Sequence, residues 1–427
     1  MKSEKMAAGI KSGMFDRELR QVYVTDGEID KQKIRYMETI KSFERVFGSD
    51  RDISVCSAPG RTEVCGNHTD HNHGCVLAAS INLDAIGVVS KNNENTVRVK
   101  SKGYDMDVVH LDELTPDVNE YGHSSALLRG VLARLKELGY EFGGFDAYTT
   151  SDVLSGSGLS SSAAYEVLLG TIISHLFNDG KIDAVTIAQV AQYAENKFFG
   201  KPCGLMDQMA SSVGSFVTID FADVDKPIIE KVEFDFASCN HSLCIVDTGG
   251  SHSDLTDDYA AVRSEMEQIA REMGKTVLAE VDYDAFMKQI PVLRQTVNDR
   301  AILRAIHFFN ENRRVKTAVK ALNGKDFAAF KTVVLSSGRS SYMYNQNVFT
   351  PKNVAEQGVS LALAVTEELL SGKGAFRVHG GGFAGTVQAF VPNELLDSYK
   401  QSMEAIFGQG TCYVLAIRPV GGVQVMK

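Results

Sequence analysis

Leu154-Ser155-Gly156-Ser157-Gly158-Leu159-Ser160-Ser161-Ser162-Ala163 runs directly into an apolar stretch that continues to Phe177. The order is loop, then helix. Glycines let a backbone approach a ligand closely. The free N–H groups and dipole at the start of the following helix favour an anion, above all a phosphate. The serines add hydroxyl donors, one of which can reach a phosphate-bound Mg²⁺. The same composition also serves as a plain N-cap, and on residue types alone both readings stand. A Walker A loop is excluded, because the chain has no G-x-x-x-x-G-K-[ST].

Outward from this loop, Phe145–Ser151 (FDAYTTS) reads as a strand, and residues 184–197 read as a helix. Further upstream, Ile34, Met37, Ile40, Phe43 and Phe47 recur at helical spacing and stop at Gly48. Short β-rich runs lie at 53–58, 84–90 and 96–100, and a second helical pattern ends at Gly139. Downstream, SFVTIDF, IIEKVEF and SLCIVDT read as three strands in series, followed by helices from about 254 to 371. RVHGGGFAGTVQAFV reads strand, tight turn, strand; a helix at 394–407 and two short strands close the chain. Strands and helices mix without strict βαβ alternation, which predicts an α+β fold. The change of pattern predicts a boundary near 214, dividing the chain into 1–214 and 215–427. A crevice between two such halves is a usual place for a small ligand.

Three other segments carry chemistry. Arg61–Gly74 (RTEVCGNHTDHNHG) gathers His68, His71 and His73 beside Asp70, between Cys65 and Cys75. Imidazole, carboxylate and thiolate are all metal ligands, so a metal-dependent hydrolase is one reading and a polar surface loop another. Lys201-Pro-Cys-Gly-Leu-Met-Asp207-Gln208 sets a carboxylate among apolar residues at a helix start. It is either a partly buried acid or base or an ordinary first-turn carboxylate. Gly380–Gly385 matches G-x-G-x-x-G, but the strand-like TVQAFV after it argues against a dinucleotide fold and for a glycine turn lining a cleft.

Composition narrows the classes. The chain has 427 residues, 44 Lys and Arg against 54 Asp and Glu, and a net charge of −10. That balance argues against a general nucleic-acid binder or an anionic-membrane binder. No run approaches the ~18 apolar residues of a membrane span, and no signal-peptide core stands at the N-terminus, so a cytoplasmic protein is expected. Seven cysteines without a C-x-x-C predict reduced thiols.

Taken together and in order, these segments resemble the GHMP small-molecule kinases, and within them the galactokinase branch. SAPGRxxxxGxHTD is similar to that branch's sugar-binding signature, LSGSGLSSSA to the family's phosphate loop, and AENKFFGKPCGLMDQ (194–208) to the run around its catalytic Asp. SHSDLTDDY (251–259) and GGGFAGTV resemble two further family segments. The resemblance implies a two-domain α+β fold with the active site in the cleft between domains. It also implies ATP- and Mg²⁺-dependent phosphorylation of a hexose at its anomeric hydroxyl. It assigns Asp207 as the catalytic acid/base, with Arg61 beside it. Asn67, His68, Asp70, Gly204 and Tyr259 would lie at the sugar. Ser155, Gly156, Ser157, Gly158, Leu159, Ser160, Ser161 and Ser162 would lie at the phosphates, with Ser162 and Glu195 at the metal.

Two positions depart from the galactokinase pattern GEHTDYNxG. Asn67 stands for its Glu and His71 for its Tyr. Losing a negative charge and adding a positive one would ease a carboxylate at C6. Plant galacturonate kinases resemble this chain at both places. Galactose is therefore the expected sugar, with a uronic acid or another modified hexose as the alternative. A sugar sensor without catalysis is less expected, because Arg61, Ser160–Ala163 and Asp207 are all present.

Overall fold

The computed structural model describes residues 1–153, 158–201, 203–224, 226–250 and 255–427. The strands are β1 (Ser54–Cys65), β2 (Cys75–Lys91), β3 (Thr96–Ser101), β4 (Met106–His110), β5 (Phe145–Ser151), β6 (Phe216–Asp220), β7 (Ile228–Val232), β8 (His241–Asp247), β9 (Ala375–His379), β10 (Thr386–Pro392), β11 (Cys412–Leu415) and β12 (Val423–Met426). They form two sheets. The larger has the order β12-β1-β2-β5-β3-β4, with β6 paired to β2 and β7 to β6; the smaller is β11-β8-β10-β9. The mixed helix-and-strand arrangement is the expected α+β class.

Strand β2 is the spine of the larger sheet. It is long enough to pair twice along the same edge, with β6 through Cys75–Ala79 and with β5 through Ala85–Lys91. It is buried along nearly its whole length. That matches its run of Val, Leu, Ile and Ala, which suits a strand covered on both faces. One cover is the helices Ser124–Glu137, Ser161–Phe177 and Ala184–Ala194, which share a core with Leu77, Ile81 and Phe145, while the helix Met206–Val213 packs with Val76, Ala78 and Val217. The other is the N-terminal helices, which bury Tyr23, Tyr36 and Phe43 against Val55, Ile86 and Val88. The helix Asp26–Phe47 buries Ile29, Tyr36, Ile40 and Phe43, while Ile34, predicted on the packed face, is 55% exposed.

Sheet membership does not follow a cut at 214. Strands β6 and β7 lie beyond it in sequence, yet they extend the larger sheet, and β12 returns from the C-terminus to pair with β1. The sequence read these segments as strands, but it carries no information about their partners. The helix Asp299–Asn323, N-capped by the Asn298 side chain, bridges the two parts by packing against β1, β2 and the helix Phe327–Ser340.

Candidate active site

Arg61 projects from β1, whose backbone runs against the end of the serine loop; Arg61 N–H donates to Leu159 O at 3.1 Å. Its guanidinium makes a two-point contact with Asp207, Nε to Oδ1 at 2.7 Å and Nη2 to Oδ2 at 2.8 Å. Nη1 donates to Gly158 O, and Ser160 Oγ donates to Asp207 Oδ2. Asp207 sits in the first turn of the helix Met206–Val213, and Ser160 is the N-cap residue of the helix Ser161–Phe177 with φ 58°. Strand, loop and two helix starts thus meet at one carboxylate. Burial pushes that carboxyl up, but the Arg61 charge and hydrogen bonds, Ser160 and Lys201 outweigh it and hold it below the ordinary carboxylate range. His379 lies behind Arg61, bonded to Thr62 and Thr386, and burial with the nearby Arg61 and Arg377 pushes it down to about 3, so it is neutral.

Beside this centre is a buried carboxylate pair. Glu195 Oε1 accepts from Ser162 Oγ at 3.4 Å and from Lys201 Nζ at 2.8 Å. Gln208 Nε2 donates to Glu195 Oε2 at 2.7 Å and to Glu166 Oε2 at 3.2 Å. Glu166 Oε1 is buried without a partner. Burial and the facing Glu195 carboxylate push Glu166 well above the ordinary range. A hydroxyl and a carboxylate oxygen facing each other are the donors a hard divalent cation takes, so Ser162 and Glu195 fit Mg²⁺. Glu166, Gln208 and Lys201 were not singled out from the sequence. Glu166 was legible in principle, since it lies four residues after Ser162 on one helix and so on the same face.

Three of the residues expected at the sugar, Asn67, His68 and Tyr259, hydrogen-bond the glycine turn. His68 Nε2 donates to Gly381 O at 2.8 Å, and Tyr259 OH to Gly382 O at 2.9 Å. Asp70 carries no side-chain hydrogen bond among the described residues, and a Cβ on Gly204 would lie 2.9 Å from its Oδ2, so glycine there leaves the carboxylate room. Asn67 is placed differently from the expectation. It is 1% exposed, donates to Glu63 Oε1 at 2.9 Å and Gly380 O at 2.8 Å, and accepts from Asn347 Nδ2 at 2.8 Å. Its side chain is consumed inside the fold, tying β1 to the glycine turn. His71 does not supply the positive charge expected of it. Burial pushes it down to about 4, with Asp70 acting against that shift. The His-rich loop brings no three metal-ligand side chains together among the described residues, and Cys65 Sγ instead faces Glu311. Ser155, Gly156 and Ser157 lie outside the described residues, as do residues 251–254 of the Tyr259 segment.

Comparison with known proteins bears on this assembly. Residues 41–91 match the galactokinase galactose-binding signature, and residues 126–215 match the GHMP kinases N terminal domain. A galactokinase of Streptomyces coelicolor is 31% identical over 370 residues, which is 86% of this chain and 91% of that protein. The chain belongs to the galactokinase family of GHMP kinases. A galactokinase of Actinobacillus pleuropneumoniae is likewise 31% identical, over 81% of this chain and 86% of its own. Among solved structures, Lactococcus lactis galactokinase complexed with galactose superposes with a TM-score of 0.74 at 23% identity, covering 90% of this chain and 98% of that one. Methanococcus jannaschii mevalonate kinase gives 0.61 at 14% identity, covering 86% and 98%. Both likenesses are of fold, and both carry the GHMP architecture expected from the sequence. No described helix is long and apolar enough to cross a membrane.

Proposed function

We propose that this galactokinase-family chain transfers the γ-phosphoryl group of ATP to the anomeric hydroxyl of galactose. The observation that carries the reading is the convergence of Arg61, Ser160 and Asp207 at the N-terminus of the helix Ser161–Phe177. Phosphoryl transfer asks a protein mainly for positioning and for cations over the phosphoryl oxygens. In this reading Asp207, kept ionised by Arg61, accepts the proton of the attacking hydroxyl. Arg61 faces the charge that develops on the transferring group. The backbone and serines of the loop hold the polyphosphate. Ser162 and Glu195 would hold Mg²⁺, which when bound would draw charge from the phosphate oxygens. Asp70, with two acceptor oxygens, takes two neighbouring sugar hydroxyls, and His68, Gly204 and Tyr259 shape the rest of the pocket. Asn67 acts through the glycine turn that it anchors. The reaction takes place in the cleft between the part built on the larger sheet and the part built on the smaller.

A uronic acid is the second reading. A cavity of about 470 Å³ next to His71 is lined by His73, Arg263, Arg271 and Lys275 with Glu267 as the carboxylate among them, a surplus of positive charge near the sugar loop. The test is ADP release with ATP, Mg²⁺ and a panel of hexoses and hexuronic acids, with the product phosphate located by NMR. Galactose is expected to give equimolar ADP and galactose 1-phosphate. Turnover of galacturonate faster than galactose would replace the first reading by the second, and no ADP with any sugar would end both.

A further inference from the structure

Glu195 and Glu166 place two carboxylates out of water on either side of one neutral amide, that of Gln208. An amide supplies hydrogen bonds and no charge. A buried carboxylate such as Glu195 needs a cation close by when it is ionised. The protein's own cation here is Lys201, whose Nζ lies 2.8 Å from Glu195 Oε1. That oxygen is also the one facing Ser162 Oγ, so the lysine and a divalent metal require the same atom. The two partners differ sharply in setting: the Glu195 side chain is 3% exposed and the Lys201 side chain 61%. The carboxylate is fixed by Gln208. The ammonium stands at the end of a flexible stem that can swing into solvent without leaving a buried charge of its own. The Lys201 charge is also felt at Asp207, where it helps to hold that carboxyl down.

We propose that Lys201 is an exchangeable cation. It neutralises Glu195 until a divalent metal takes the carboxylate, and it is then released into solvent. This rests on reading Ser162 and Glu195 as the metal's ligands. Three consequences follow from competition for one oxygen. The metal binds the protein alone more weakly than its ligands would allow. Removing the lysine tightens metal binding. Metal addition frees the lysine amine.

The experiment titrates Mn²⁺ alone into the full chain and reads free Mn²⁺ by electron paramagnetic resonance. Lys201→Met is expected to bind Mn²⁺ about three- to fivefold more tightly than the unaltered chain, the range an ion pair with one exposed partner corresponds to. Lys201→Arg keeps the charge and should stay near the unaltered value, whereas Glu195→Gln should lose most of the binding. If Glu195→Gln abolishes binding while Lys201→Met leaves it unchanged or weaker, the exchange is overturned and the ligand assignment stands. If Glu195→Gln binds as before, the ligand assignment falls and the exchange with it. A second measurement needs no variant. Acetylation of the Lys201 amine by an N-hydroxysuccinimide ester, followed by peptide mass spectrometry, should quicken on adding Mg²⁺. An unchanged rate overturns the exchange.

Discussion

Asp207 accepts three hydrogen bonds, two from one guanidinium and one from a hydroxyl. Each of these bonds favours the charged form, so the carboxylate is ready to accept a proton at neutral pH. Asp207→Asn keeps the shape and removes the base. Its expected effect is a fall in kcat of about 10²- to 10⁴-fold, the usual worth of a positioned general base, with the KM for ATP changed only a few-fold. A comparable loss of ATP affinity in steady-state kinetics would mark Asp207 as structural. Arg61→Lys retains the charge but not the two-point fork. Turnover should drop by about 10²-fold, as when a donor to a developing charge is removed. The acid limb of kcat/KM should also move to higher pH, since Asp207 loses part of what holds its carboxyl down. A pH profile with an unmoved acid limb would show that Arg61 does not set the protonation of Asp207.

At the scale of an element, the end of β1 and the glycine turn after β9 are locked by a charge arrangement that depends on Asn67 being neutral. Glu63 is already a buried carboxylate. Burial pushes it above the ordinary range, with Arg377 and the Asn67 amide acting against that shift. Asn67→Glu would set a second carboxylate against Glu63 Oε1 and the Gly380 carbonyl, acceptor against acceptor. An uncompensated buried charge of this kind costs about 3 kcal/mol or more. Exchanging the roles, Glu63→Gln with Asn67→Glu, restores one carboxylate and one amide beside Arg377 and should recover more than half of that loss. Urea unfolding of the two single variants and the pair measures it, and a pair no more stable than Asn67→Glu alone would refute the coupling. This element also shows what a one-dimensional reading reaches. The serine loop and the Asp207 segment stood out as candidates by residue type and order, and the family resemblance gave Arg61 and Asp207 their expected roles; the structure brings Arg61, Asp207, Gly158 and Ser160 into contact. The direction in which Asn67 faces was not legible, because burial at the end of a strand depends on Asn347 and Gly380, roughly 300 residues away in the chain. His71 failed for a similar reason: residue type suggested a cation, and burial removed the charge. Strands β6 and β7 were visible as strands, yet only the pairing of β6 with β2, and of β7 with β6, assigns them to the larger sheet.

Over the whole molecule, the two parts are joined by buried polar groups whose protonation is fixed by the fold. His307, on the helix Asp299–Asn323, donates from Nε2 to the Asn67 carbonyl at 2.9 Å and bonds Ser340 through Nδ1 at 2.9 Å, and burial pushes it down to about 4. His379, on β9, is pushed down to about 3, first by burial and then by Arg61 and Arg377. In the unfolded chain both titrate near ~6.5. Between that pH and their folded values the unfolded state binds more protons, so acid favours unfolding. The stability they contribute is complete above about pH 6.5 and is lost as pH falls toward 4 and 3. From pH 6.5 to 5, a window above most carboxylate titration, the two together should remove about 3 kcal/mol, with nearly two protons taken up on unfolding near pH 5. Urea midpoints at half-unit intervals give the slope directly. His307→Gln retains a side chain that can both donate and accept, but it has no titrating group. It should lower overall stability modestly and reduce proton uptake at pH 5 by about one. An unchanged slope in that variant would mean that His307 is already charged in the folded protein, and the join between helix and sugar loop would then have to be a charged contact instead of a neutral one.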